Sequence, residues 1–148
     1  MKKTFKFLVI SLAVVVISAF AGCSARAAIS ADDFQKQAKS AGFTVAEQNS
    51  DNSGATKSFA ATKSKSDTQI IYYTFSSDSG SQSWYSTVKS GLTGSGKTVV
   101  DSDSYNKYSL TNGEIYYLLV RMDNTGILCK TTVSNKSEAD NFINSIKY

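Results

Sequence analysis

Seven runs rich in β-branched and aromatic side chains lie between residues 44 and 133, each bounded by turn-forming residues, so most of the chain reads as strand. They are Thr44 to Glu47, Ser58 to Lys63, Thr68 to Ser76, Thr98 to Asp103, Lys107 to Leu110, Glu114 to Met122 and Ile127 to Val133. Asn112-Gly113 predicts a two-residue hairpin and Asp123 to Gly126 the next turn, which makes the last three strands a meander. Helical periodicity occurs three times. Ser30 can cap the first helix, with Asp33 completing a capping box, Ile29 placed to staple against Phe34 and Gly42 ending the segment. The second runs from about Ser81 to Leu92 and sets Trp84, Val88 and Leu92 on one stripe. The third, near Lys136 to Lys147, follows an Asn135 cap with Glu138 three residues on. Asn49 to Thr56 is polar and reads as a loop.

These elements predict an α+β domain with a single antiparallel β-sheet of about six or seven strands and two or three packed helices. A cystatin-like helix wrapped by a meander is one variant, and the strand order is not readable. Helix then three strands occurs twice, and Ile71-Tyr72-Tyr73 echoes Ile115-Tyr116-Tyr117. Antiparallel strands of similar composition look alike in any case.

Ahead of this domain, Lys2, Lys3 and Lys6 precede an uncharged apolar run of fourteen residues from Phe7 to Phe20. That is shorter than the roughly 17 to 25 residues a permanent spanning helix needs, so residues 1–22 are expected to be a signal peptide. Two processing sites compete. Phe20-Ala21-Gly22-Cys23 sets small residues before a cysteine, the arrangement of a lipobox, although Phe20 stands where an aliphatic residue is usual. Ala25-Arg26-Ala27 is an A-x-A match that would release a soluble protein starting at Ala28. Cleavage before a diacylglyceryl-bearing Cys23 is the expectation, with residues 23–29 as the tether and 30–148 as one domain. Two acyl chains suffice for stable anchoring. Six extended residues, Ser24 to Ile29, would keep the domain within roughly 20 Å of the membrane.

Losing residues 1–22 removes three of the 16 Lys and Arg and none of the 12 Asp and Glu, which leaves a side-chain charge of +1 on 126 residues. No basic footprint for nucleic acid remains. Cys129 is the one thiol left once Cys23 is acylated, so no intrachain disulfide is available. Histidine is absent, which excludes His-dependent base catalysis and every His-containing metal site.

Several patterns invite a chemical reading. Gly91-Leu92-Thr93-Gly94-Ser95-Gly96-Lys97-Thr98 matches a P-loop, but a phosphate cradle needs a strand before the loop and a helix after it. Here the order is inverted, so a helix-to-strand turn is expected and no nucleotide. Ser86-Thr87-Val88-Lys89 and Lys89-Ser90-Gly91 resemble fragments of penicillin-binding and β-lactamase motifs, yet they share Lys89, and one lysine cannot fill both roles. Cys129 alternates with Ile127, Thr131 and Val133 and reads as a buried hydrophobe. Asp101 and Asp103 at i, i+2 read as a solvated strand face. Tyr72-Tyr73 and Tyr116-Tyr117 sit mid-strand, so one of each pair faces the core. The other is a candidate for a surface that binds glycan or peptide, because an aromatic face with a polar tip suits wet recognition.

Lys2-Lys3, Ala21-Gly22-Cys23-Ser24, Ser30-Ala31-Asp32-Asp33-Phe34 and the ending Phe142 to Tyr148 together resemble the small, uncharacterised lipobox-type surface lipoproteins of Gram-positive bacteria. The resemblance implies anchoring on the extracytoplasmic face of a cell membrane and carries no catalytic residue. The expected function is thus a non-catalytic binding or interaction module near the membrane. Its partner is expected to be a cell-envelope glycan or protein, with no cofactor, metal, nucleotide or nucleic acid. The alternative is a secreted or anchored His-independent enzyme using Asp, Ser, Lys or Tyr. Oligomeric state is not readable.

Overall fold

The computed structural model describes residues 26–50 and 53–148. The signal segment and Cys23 lie outside these residues, as does part of the expected loop, and among the described residues no helix is long and apolar enough to cross a membrane. The order is α1 (Ala31–Ser40), β1 (Thr44–Gln48), β2 (Lys57–Lys63), β3 (Thr68–Thr74), α2 (Asp78–Gly91), β4 (Ser95–Asp101), β5 (Tyr105–Asn112), β6 (Ile115–Met122), β7 (Thr125–Thr132) and α3 (Lys136–Ser145). All seven strands form one antiparallel sheet in the order β1-β2-β3-β7-β6-β5-β4. The units β1-β2-β3 and β4-β5-β6 therefore flank β7.

Helices cover both faces. Phe34 and Ala38 of α1 and Ala139, Phe142 and Ile143 of α3 pack with Ile70, Tyr72, Leu118, Val120, Ile127 and Cys129. Trp84 and Tyr85 of α2 pack on the opposite face with Phe75 and Leu119. This three-layer arrangement replaces the cystatin-like variant, and its cause is visible in β6 and β7. Leu118 and Leu119 are both fully buried, so the centre of the sheet is apolar on both sides and each side must be covered.

Local signals explain most boundaries. Ser30 Oγ accepts from the Asp33 N–H at 3.1 Å, and Asp33 Oδ2 in turn accepts from the Ser30 hydroxyl at 2.9 Å rather than from a backbone N–H. The second helix starts three residues earlier than periodicity predicts because Ser77 Oγ accepts from Gly80 N–H. Asn135 does not cap α3 with its side chain; its amide donates to Ser66 O and Thr132 Oγ1 instead. Glu138 forms an ion pair with Lys63 of β2, which ties α3 to the sheet. The β5–β6 hairpin turns on Gly113-Glu114, one residue later than predicted, with Gly113 at φ +57° supplying the left-handed position.

Burial pushes the Cys129 thiol up to about 12 and the Tyr148 hydroxyl up to about 12, and it raises Tyr72 and Tyr116 as well. A proton held more tightly in the folded state gives stability that is complete below the unfolded value and is lost as pH rises through the folded one. The loss starts at the ordinary thiol value of 9.0 and grows above the phenol value of 10.0. Burial raises Tyr73, Tyr85 and Tyr105 in the same sense, and Lys107, lowered by burial, is one group acting against these seven. Tm is therefore expected to be flat to about pH 9 and to fall steadily above it, while Cys129 in the native protein resists thiol reagents at pH 8. Rapid labelling, or a Tm unchanged to pH 11, would contradict this.

Candidate functional site

Cross-strand register puts a polar row on the α2 face that crosses the whole sheet: Gln48, Ser58, Tyr73, Gly126, Arg121, Asn106 and Asp101, one from each strand from β1 to β4. At its middle the row is bridged by Trp84. A Cβ on Gly126 would lie 2.3 Å from Trp84 Cζ3, so glycine is what lets the indole rest on the sheet. Ser81 Oγ donates to Asp123 O at 2.5 Å and holds the start of α2 against the β6–β7 turn.

On the β1–β3 flank of α2 the row opens into a groove of about 870 Å³. Tyr73, Trp84, Ile71 and Val88 give it an apolar floor, with Gln48, Ser58, Ser83 and Thr87 as polar lining. The Tyr73 and Trp84 ring centroids are 4.9 Å apart and tilted by 48°, and Phe75 backs Trp84 at 5.5 Å. Burial raises the Tyr73 hydroxyl pKa, so the group stays protonated and can donate as well as accept. A volume of this order, with aromatic surface beside hydroxyl and amide groups, suits a small ligand or a short stretch of polymer.

On the β4–β5 flank the row is self-contained. Arg121, 1% exposed, donates through Nε to Asn106 Oδ1 at 2.7 Å and through Nη2 to the main-chain oxygen of Asp103. Asn106 Nδ2 donates to Asp101 Oδ1 at 2.8 Å, so the amide links the buried cation to a carboxylate and offsets its desolvation. Tyr85 lies beside this network with its hydroxyl pushed up to about 12, chiefly by burial, and its Oη has no hydrogen-bond partner among the described residues. Lys89 Nζ stands 5.1 Å from the Tyr108 ring centroid and 5.9 Å from that of Tyr85.

The four tyrosines do not share a surface. Tyr72 is buried, stacked on Phe34 at 4.8 Å, and donates to Ile29 O at 2.6 Å. Tyr116 is buried and donates to Asp140 Oδ1 at 2.9 Å. Tyr117 is half-buried on the α2 face, in register with Gln69-paired Lys130 and with Leu110 rather than with the polar row. Tyr73 alone of the four lines the groove. Asp101 ends β4 and Asp103 lies in the following turn, so the two do not share a strand face. Among the described residues no three His, Cys, Asp or Glu side chains converge as metal ligands. The P-loop-like segment is the last residue of α2, a turn and the start of β4. A Cβ on Gly96 would overlap Tyr108 Oη at 1.7 Å, so strand packing accounts for that glycine. Arg121 was the signal in sequence for the buried network, a lone charge within Ile115-Tyr116-Tyr117-Leu118-Leu119-Val120-Arg121-Met122.

No family model matches the chain, and no curated protein matches it. The fold is similar to that of a solved structure from Thermotoga maritima described as a GTP binding regulator, with a TM-score of 0.54 and 11% identity over 80% of this chain and 84% of that one. At that identity the likeness is one of fold alone.

Proposed function

We propose that the chain is an extracytoplasmic lipoprotein, anchored to the cell membrane by a diacylglyceryl group on Cys23, whose domain is a non-catalytic module binding a cell-envelope partner. The groove beside α2 carries this reading: an aromatic floor built from Tyr73 and Trp84 with hydroxyl and amide groups along its sides is suited to a glycan strand. The three-zone leader and the Ala21-Gly22-Cys23 motif support the anchor. The absence of histidine and a Cys129 thiol held at about 12 speak for binding rather than nucleophilic chemistry.

The Thermotoga maritima neighbour is described as GTP binding, yet nucleotide is left out of this proposal. The turn after Gly91 meets the carbonyl end of α2, whereas phosphate is held by the N–H end of a helix.

Expression of the full chain in a Gram-positive host tests both halves. The mature protein is expected in the membrane fraction with the mass of a diacylglyceryl adduct, and Cys23→Ala is expected to abolish that adduct. The purified protein is expected to co-sediment with insoluble cell-wall glycan, and Tyr73→Ala to weaken that binding by about tenfold or more at a temperature where circular dichroism shows the variant still folded. Capture of an envelope protein but not of glycan would reassign the partner, and no capture of either would remove the binding reading.

A further inference from the structure

The residues expected to be a free tether are docked on the domain. Arg26 Nη1 donates to Tyr105 Oη at 2.7 Å, and its guanidinium stands 5.1 Å from the centroid of that ring. Ala28 and Ile29 pack against the core cluster, and Ile29 O accepts from Tyr72 at 2.6 Å. Between Cys23 and Arg26 only Ser24 and Ala25 remain, three Cα steps that reach about 11 Å when fully extended. A tether free to Ser30 would span seven steps, about 25 Å.

The difference decides what the domain can present. The eight residues of β5 extend about 24 Å, so a leash of about 11 Å that ends at Arg26, whose side chain reaches Tyr105, is less than half a strand in length. Tyr105 pairs with Met122, and Met122 with Thr125, so the Ser102–Ser104 turn and the Asp123-Asn124 turn lie at that same end of the sheet. The Gly113-Glu114 turn lies at the other.

We infer that the Tyr105 end of the sheet is the face that rests on the bilayer headgroups, and that the Arg26–Tyr105 contact sets this orientation by shortening the leash. The inference rests on the anchored reading proposed above. It makes the domain a fixed platform rather than a bead on a string. The Gly113-Glu114 end is held away from the membrane, and the groove, whose Tyr73 lies one row from the Thr74–Thr125–Met122–Tyr105 row, opens on the α2 face near the headgroups.

The test uses the full chain processed in cells and purified with its lipid into nanodiscs that contain a gadolinium-chelating headgroup lipid. Paramagnetic broadening of backbone amides is expected to be severalfold greater at residues 102–105 and 123–124 than at residues 112–114. In Arg26→Ala, which frees the chain as far as Ala28, the contrast between the two ends is expected to shrink. A lipidated wild-type protein with equal broadening at both ends, or with greater broadening at 112–114, would overturn the orientation and leave the anchor standing. An unchanged contrast in Arg26→Ala would remove the role given to that contact. A mature protein that carries no diacylglyceryl group would overturn the anchor, and the orientation with it.

Discussion

Trp84→Ala is expected to cost about 3–5 kcal/mol of folding stability, the largest loss available on the α2 face. The indole is 6% exposed and fills the space between α2 and the centre of the sheet. It touches Tyr73 and Phe75 and sits directly over Gly126, where no side chain exists to fill the gap it would leave. Truncation therefore removes buried apolar area and creates a cavity that the backbone of β7 cannot close. For a domain of this size that corresponds to a fall in Tm of roughly 10 °C or more, measurable by circular dichroism. Trp84→Phe retains a ring on Gly126 and is expected to lose less than half as much. A fall in Tm of only a few degrees for the alanine variant would mean that α2 is held by other contacts. Because Trp84 also forms the groove floor, the phenylalanine variant is the one in which to measure partner binding.

Phe34→Ala is expected to have a comparable effect on the other face, about 3–5 kcal/mol, and to act through the attachment of α1. A ten-residue helix is marginal in isolation. Its only fully buried side chains are Phe34 and Ala38, and Phe34 both stacks on Tyr72 and meets Phe142 edge-on at 6.2 Å. Without the ring, α1 keeps its cap at Ser30 but loses most of what fastens it to the sheet. Urea denaturation should show the lowered midpoint, and native-state hydrogen exchange should show residues 31–40 losing protection more than β6 and β7. Uniform loss of protection would indicate that α1 unfolds only with the whole domain.

What could be read beforehand depended on the range of the interaction involved. The Ser30 cap, the strand runs and the alternation that buries Cys129 and one tyrosine of each pair are decided within a few residues, and local chemistry exposes them, although which tyrosine of a pair turns inward is not decided there. The order of helix, turn and strand around Gly91 to Thr98 was likewise legible. Errors came where a distant partner outcompeted a local one. Asn135 gives its amide to Ser66, 69 residues away, instead of capping α3, and Glu138 turns to Lys63. The polar row under α2 could not be foreseen, since it exists only once seven strands are placed in register. Tyr73 and Tyr117 occupy equivalent positions in similar triplets, yet register sends one to the groove and the other to a different row. The docking of Arg26, Ala28 and Ile29 on the domain was hidden for the same reason, because nothing near Arg26 in the chain announces Tyr105.

Of the two edge strands, β4 has a further consequence. Its pairing with β5 slips between Thr98 and Val100, leaving Val99 half exposed, and Lys97 is exposed two residues before it. A straight apolar edge would invite a neighbouring copy to add its own strand and begin a growing ribbon. The kink and the ammonium group spoil that template, so this edge of the sheet is guarded against strand addition by a neighbouring copy.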